Sequence, residues 1–269
     1  MQLSVVIITL NEEANIGRTL ESVKALVSDG KGEVIIVDSG STDRTVEIAS
    51  SYGAKVFVEE WKGFAVQKNS AIEKAQADWI LSLDADEELS QELVSHLHEA
   101  LEAVDPAGSP KIYPPDLNGF RFRRRNYFLG RWVKHGGFWP DPKLRLFRRG
   151  SAAFENRAVH EDLRVQGTVW RMNGDLIHHS YPTISDYIEH MNRYSSLGAE
   201  MVVARGPVRF TVINITLRPL LTFLYNYIFR LGFLDGKEGL LLHLNHSVYV
   251  AWKYVKAWEL ARSRDEPRP

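Results

Sequence analysis

Two carboxylates one residue apart, Asp84 and Asp86, follow directly on the apolar run Trp79–Leu83. At the end of a buried strand such a pair can hold a divalent cation between protein and a diphosphate. Oxygen ligands suit Mg²⁺ or Mn²⁺, which complete their shells with phosphate oxygens and water. The cation would neutralise charge on a departing nucleoside diphosphate. A pair of turn aspartates, with Glu87-Glu88 merely opening the next helix, is the plainer reading, but it leaves concentrated negative charge without a counter-ion. A second polar strand end, Asp38-Ser39-Gly40-Ser41-Thr42-Asp43, reads as a tight turn into a helix N-terminus. Ser41 to Asp43 are ordinary capping residues there. Asp38 terminates a buried strand and needs a partner, which a base or ribose would supply, with phosphate favoured near the helix end.

Positioning these groups requires strands. Leu3–Leu10 is a continuous apolar run ending at Asn11-Glu12-Glu13, too short for a membrane span, and reads as a strand buried on both faces. Ile16, Leu20, Val23 and Val27 then recur at helical spacing with Asn15 as the cap. Val34–Val37, Lys55–Val58 and Trp79–Leu83 read as further strands, Gln67–Ala75 as a helix, and Ser90 as the cap of the next helix. This alternation predicts an α/β fold with right-handed crossovers, a mostly parallel sheet and helices on both faces. Ligands of such sheets bind beyond the carboxyl ends of the strands, where Asn11-Glu12, Asp38-Ser39 and Asp84-Ala85-Asp86 lie. Asp105–Pro115, with four of the eleven prolines, reads as a linker. Beyond it, Phe120–Arg123 and Leu144–Phe147 alternate as strands, and Ile184, Tyr187, Ile188, Met191, Tyr194 and Leu197 mark an amphipathic helix. Val208–Leu231 is very apolar, but Arg209, Arg218 and Arg230 interrupt it, and its uncharged stretches fall short of the roughly 20 residues a spanning helix needs.

The bulk numbers fit one large domain or a domain with an appendage: 269 residues, 44% apolar and 25% charged, which excludes wholesale disorder. The absence of cysteine excludes disulfides, thiolate zinc sites and cysteine nucleophiles. Charge is uneven. Residues 1–110 carry 8 Lys+Arg against 20 Asp+Glu, and residues 119–149 carry 10 against 1. That division suggests a cation site in the first block and an anionic ligand near the second. Met1-Gln2-Leu3 runs straight into a strand-like stretch, so no secretion signal is expected.

The segments SVVIITLNEEANIGRTLESV, IIVDSGSTDRT and LSLDADE, in that order over the first 90 residues, resemble the family 2 glycosyltransferases of the GT-A fold. Trp139-Pro140-Asp141-Pro142-Lys143-Leu144-Arg145-Leu146-Phe147, then Val159–Leu163 and Ile177–Tyr181, are similar to bacterial lipopolysaccharide-core glucosyltransferases, and extend the likeness to nearly the whole chain. The resemblance implies a GT-A (Rossmann-like) catalytic domain over residues 1–180 and a helical C-terminal extension over 181–269. It implies nucleotide contacts from Thr9, Asn11, Glu12, Asp38 and Asp84; Lys68 joins this donor set. Asp84 and Asp86 would hold the metal-diphosphate, with Asp86 the direct ligand. In related GT-A enzymes a late histidine completes the metal shell, and His178 stands at the matching position; His179 departs from the aromatic residue usual there. His160-Glu161-Asp162 is the place for a base, since inverting transfer needs a carboxylate opposite the leaving group to deprotonate the acceptor hydroxyl. The family often uses the aspartate of a Glu-Asp pair, whereas the core-glucosyltransferase pattern points to Glu161; both Glu161 and Asp162 stay open.

Partners follow in the same way. Arg121–Arg125 with Asn126-Tyr127-Phe128 invites a nucleic-acid reading, but the alternation makes much of it strand and no recognition motif accompanies it, so no nucleic-acid partner is expected. Lys143, Arg145, Arg148 and Arg149 would meet diphosphate oxygens or an acidic acceptor, or form a solvated face. Val208–Leu231 with Trp252, Tyr254 and Trp258 suits attachment at a bilayer interface; a helical cap or dimer surface competes, and a homo-oligomer is allowed. The expected activity is inverting transfer of a sugar, glucose from UDP-glucose, to a lipopolysaccharide-core or other lipid-linked glycan, in the cytoplasm or peripherally on the inner face of the cell membrane. A sugar-phosphate nucleotidyltransferase would want a Gly-rich phosphate loop where Asn11-Glu12-Glu13 stands, and a dinucleotide dehydrogenase would want Gly-x-Gly-x-x-Gly. A non-catalytic sugar-nucleotide-binding scaffold at the membrane would keep the fold, but intact carboxylates at the metal and base positions argue against it.

Overall fold

Strand β1 (Leu3–Thr9) is buried along almost its whole length, and the reason is visible in its neighbours. Leu3, Val5 and Ile7 belong to one hydrophobic cluster and Val6 to another, as the two-residue side-chain period requires when both faces of a sheet are covered. The structure, a computed structural model, describes residues 1–102, 114, 116–155, 163–208 and 210–265. Most of the expected linker Asp105–Pro115, the pair Glu161 and Asp162, and Arg209 lie outside those residues. The contacts divide the chain into two units, residues 1–124 with 141–178 and residues 125–140 with 179–269. The hairpin segment 125–140 thus groups with the C-terminal region.

In the first unit, α1 (Ile16–Val27), β2 (Gly32–Asp38), α2 (Thr45–Ser51), β3 (Lys55–Val58), α3 (Phe64–Glu73) and β4 (Trp79–Asp84) follow β1 in alternation. A short strand β5 (Glu87–Leu89), α4 (Gln91–Glu102), β6 (Leu117–Phe128), β7 (Arg131–Trp132), β8 (Lys143–Arg148), β9 (Ala152–Phe154), β10 (Leu163–Val165) and β11 (Thr168–Tyr181) complete the strand-bearing region, with β7 and the ends of β6 and β11 falling in the second unit. The main sheet runs β3-β2-β1-β4-β8-β6-β11-β5, with β7 paired to β6, and β9 and β10 form a separate pair. β1 to β4 are parallel. Past β4 the pairs β4–β8, β8–β6 and β11–β5 are antiparallel, so the second half of the sheet departs from the parallel pattern. Ile16, Leu20, Val23 and Leu26 of α1 and Leu93, Leu97 and Leu101 of α4 cover one face; Ala65 and Ala71 of α3 cover the other with Val6, Ile35, Val37 and Ile80.

At helix entry the expected cap of α1 and the alternative reading of Glu87-Glu88 both fail. Asn15 occupies the cap position of α1 without capping it; its amide instead donates to Glu12 at 2.9 Å and its carbonyl accepts from Arg18 at 2.8 Å. The segment Glu87-Glu88 is strand, not a helix start. Ser90 does accept from the Leu93 amide, at 3.2 Å.

In the second unit, α5 (Ile184–Ala204) opens on a reciprocal Thr183–Asp186 capping box, and α7 (Gly236–Asp265) closes the chain. Phe128, Val133, Tyr187, Met191 and Leu242 form its core. Between these helices Ile213–Leu217 and Tyr225–Phe229 are π-helical turns flanking α6 (Arg218–Leu224), with Pro219 in its first turn. Among the described residues no helix is long and apolar enough to cross a membrane.

Gly174 of β11 shows how tightly the first unit is packed. Its φ is +94°, and a Cβ there would stand 2.6 Å from backbone atoms of Leu93 at the start of α4. Gly174→Ala combines left-handed strain with a backbone clash and is expected to cost about 2 kcal/mol or more, read as a lowered midpoint in urea unfolding.

Candidate active site

The strand order turns on β1: β2 and β3 extend to one side, β4 to the other. This is the switch point at which open α/β sheets hold ligands. Register brings the polar strand ends together there, with Thr9 opposite Asp38 across β1–β2 and Ile8 opposite Asp84 across β1–β4.

On the β2 side the chain satisfies Asp38 itself. Thr9 Oγ1 and Ser41 Oγ donate to one carboxylate oxygen at 2.7 and 2.5 Å, and the Gly40 and Ser41 amides donate to the other at 2.9 and 2.8 Å. Burial therefore does not by itself require the base or ribose that the sequence suggested as partner; the turn supplies the donors. Asn11 adopts a left-handed conformation, φ 55°, which lets its side chain accept from the Thr42 amide while its own amide donates to Ser41 Oγ, both at 2.8 Å. Glu12 is fixed through its amide, which donates to Thr45 Oγ1 at 2.7 Å. Burial, seconded by the charges of Asp86, Asp43 and Asp84, pushes the Glu12 carboxyl up against the opposing hydrogen bond from Asn15.

On the β4 side the two aspartates are unequal. Asp84 meets Lys68 Nζ at 2.8 Å and is bonded by Arg145. Burial raises its carboxyl, but the Arg145 guanidinium and the Lys68 ammonium outweigh that and hold it well below the ordinary carboxylate range. Asp86 faces His178 instead, Oδ2 to Nε2 at 3.1 Å. The pairing of β5 with β11 sets this contact, since His178 is the register partner of Glu87, the next residue along. Burial raises the Asp86 carboxyl, and His178, with Arg124 as a lesser contributor, brings it below its ordinary value. The two carboxylates are about equally exposed, Asp84 at 29% and Asp86 at 25%. Lys68 and Arg145 engage Asp84 directly, whereas Asp86 faces the His178 ring. The 3.1 Å between the Asp86 oxygen and the His178 nitrogen is a hydrogen-bond distance, and the same two groups could serve as neighbouring ligands of one Mg²⁺. Among the described residues no group of three such side chains gathers.

Beneath this pair lies a network the sequence did not disclose. Glu87 is fully buried; it accepts from Arg145 at 2.6 Å and Arg124 at 3.2 Å, and receives the Asp84 amide at 3.2 Å. Arg124 also binds Asp141, at 2.7 and 2.9 Å. Arg145 is thus an interior residue holding Asp84 and Glu87, not part of a solvated basic face. Gln67, next to Lys68, is fully buried with neither amide atom hydrogen-bonded among the described residues, a site where a further polar partner is needed. The only sequence signal for Arg124 and Arg145 was their place in alternating strands; Glu87 had none.

A parallel four-strand half-sheet with polar switch-point ends, continued by antiparallel strands that bring a histidine to the second aspartate, defines a nucleotide-sugar transferase type of fold. Residues 4–163 match the family model described as Glycosyl transferase family 2, and the chain belongs to that family. It is 32% identical over 267 residues to the lipopolysaccharide core biosynthesis glycosyltransferase LpsC of Rhizobium meliloti, covering 96% of this chain and 93% of that one. It is 33% identical over 248 residues to a glycosyltransferase of Rickettsia typhi, covering 88% and 80%. The fold is shared with the mannosyltransferase PcManGT of Pyrobaculum calidifontis, solved with GDP-Man and Mn²⁺, at a TM-score of 0.56 and 15% identity over 98% of this chain and 88% of that one.

Arg145→Met leaves Glu87 buried with Arg124 alone and is expected to destabilise the protein by about 3 kcal/mol. Lys143→Met, which removes a half-exposed partner of Asp141, should cost less than about 1 kcal/mol. Because the folded Asp84 carboxyl is depressed, the stability it contributes is full above its unfolded value near pH 4 and is lost as pH falls through the folded value. The gap between the urea midpoints of wild type and Arg145→Met should therefore begin to narrow as pH falls below about 4.

Proposed function

We propose that this chain is an inverting glycosyltransferase that moves a sugar, glucose from UDP-glucose, to a hydroxyl of a lipopolysaccharide core or another lipid-linked glycan. The observation that carries the reading is the Asp86–His178 pair beside the strand ends bearing Thr9, Asp38 and Asp84. Family membership supports transfer chemistry. The name of the Rhizobium relative supports the acceptor class, and the GDP-Man and Mn²⁺ of the fold-sharing mannosyltransferase support a nucleoside diphosphate donor with a divalent ion.

In this proposal residues 1–180 form the catalytic domain, and residues 181–269 form an extension that meets a membrane on its cytoplasmic face or a second copy. Asp86 and His178 would hold Mg²⁺ or Mn²⁺, whose chemistry is to neutralise charge on the leaving diphosphate. Thr9, Asn11, Glu12, Asp38, Asp84 and Lys68 form the donor site. Lys68 and Arg145 fix the Asp84 carboxylate, so that side chain is set before the donor arrives. Glu161, with Asp162 as the second candidate, takes the acceptor proton as the hydroxyl oxygen bonds to the anomeric carbon. The bond from that carbon to the diphosphate oxygen breaks with its electron pair going to the nucleotide.

Release of nucleoside diphosphate across a panel of nucleotide sugars, with and without Mn²⁺, tests this. Wild type is expected to turn over one donor in a metal-dependent manner. Asp86→Ala should lose turnover by about 100-fold or more, and Glu161→Ala should keep donor binding while losing transfer. If no donor binds or turns over, the reading fails and a membrane scaffold takes its place.

A further inference from the structure

From Met201 to Leu234 the chain has four arginines, at 205, 209, 218 and 230, and neither aspartate nor glutamate. Inside that stretch Ile213, Leu217, Leu220, Leu221, Tyr225 and Ile228 recur at helical spacing, and each is 45–62% exposed. An open groove of about 520 Å³ runs along this face, with Arg218, Thr222 and Asn226 beside the apolar residues. A continuous apolar stripe of this kind marks an interaction surface, and the charges next to it say with what.

Arg218 Nη1 donates to the Tyr254 hydroxyl at 2.8 Å, and its guanidinium sits 4.8 Å from the centre of that ring. Lys253 Nζ sits 5.1 Å from the centre of the same ring. One tyrosine therefore carries two cations, and none of Arg205, Arg218 and Lys253 has a carboxylate partner among the described residues. Burial lowers the Lys253 ammonium, and the like charges of Arg218 and Arg205 lower it further. Like charges gathered beside an apolar stripe lack an anion.

We propose that this face docks on an anionic phospholipid bilayer, with a lipid phosphate received by Arg218 and Lys253 at Tyr254 and acyl chains against the Ile213–Ile228 stripe. The inference rests on the reading above that the acceptor is lipid-linked. A helix with an apolar face, basic flanks and aromatic residues at the boundary lies in the interfacial plane in this way. A second copy fits less well. A two-fold contact puts the same patch on itself, and here it would oppose Arg218 and Lys253 to their own mates with no acid on the facing stretch.

Co-sedimentation of the full chain with vesicles of phosphatidylcholine alone, or with about a third phosphatidylglycerol, tests the surface without donor or acceptor. Wild type is expected to bind the anionic vesicles preferentially and to be released by salt. The double variant Arg218→Gln/Lys253→Gln should bind them on the order of 30-fold more weakly, and Leu217→Asp/Leu221→Asp should not bind. Nucleotide-sugar hydrolysis in vesicle-free buffer should be unchanged in both, so its absence in wild type strikes the transferase reading and a loss confined to vesicles concerns this surface alone. Equal binding of wild type to both vesicle types, or undiminished anionic binding by the glutamine pair, overturns the proposal even if the aspartate variant misfolds. A wild-type dimer that Leu217→Asp/Leu221→Asp dissociates, without vesicle binding, gives the face to a second copy.

Discussion

A carboxylate shut off from water must find its counter-charge inside the protein, and Glu87 finds two. Arg145 arrives from β8 and Arg124 from β6, so a residue on a three-residue strand draws together three separate parts of the sheet. The Asp84 amide bonds to the same carboxylate, and the turn between the two aspartates is held from beneath. Everything chemically interesting on this side of β1 stands on that buried charge. The antiparallel strands β6 and β8 thereby bring two guanidinium groups to the end of β4.

The two aspartates consequently have different electrostatic lives. Asp84 is matched by Lys68 and Arg145, and its task is to be fixed. Asp86 faces a histidine at 3.1 Å, with the Arg124 charge a lesser influence. On the far side of β1, Asp38 is enclosed by four donors from its own turn and from Thr9. The switch point thus separates a rigid, internally bonded corner from a corner built around the Asp86–His178 pair.

How much of this was legible in the sequence depended on distance along the chain. β1, β2 and β4 were readable because strands buried on both faces leave uninterrupted apolar runs, and the polar residues terminating those runs marked the ligand end of the sheet. β5 was not, because Glu87-Glu88-Leu89 looks like the acidic first turn of a helix. Only its pairing with β11, nearly 90 residues later, makes it strand. Arg145 looked like one of several surface cations because its partner Glu87 lies 58 residues away, and periodicity carries no information about pairs so far apart. Asn15 erred the other way, its cap position correct and its side chain drawn to Glu12.

The position of β5 has one more effect. It ends the strand order, and a sheet edge left open is a template on which other chains can assemble. Here α1 covers that edge, the outward Leu89 amide donating to Ser22 Oγ at 3.1 Å. Three residues offer a very short template. Two of them are glutamates, one turned into the interior, an arrangement that native sheets use to discourage recruitment. At the opposite edge β3 is only four residues long and begins with a lysine. The residues that set Asp86 against His178 therefore also help keep the protein from aggregating through its sheet, and a change at Glu87 would bear on solubility as well as on the site.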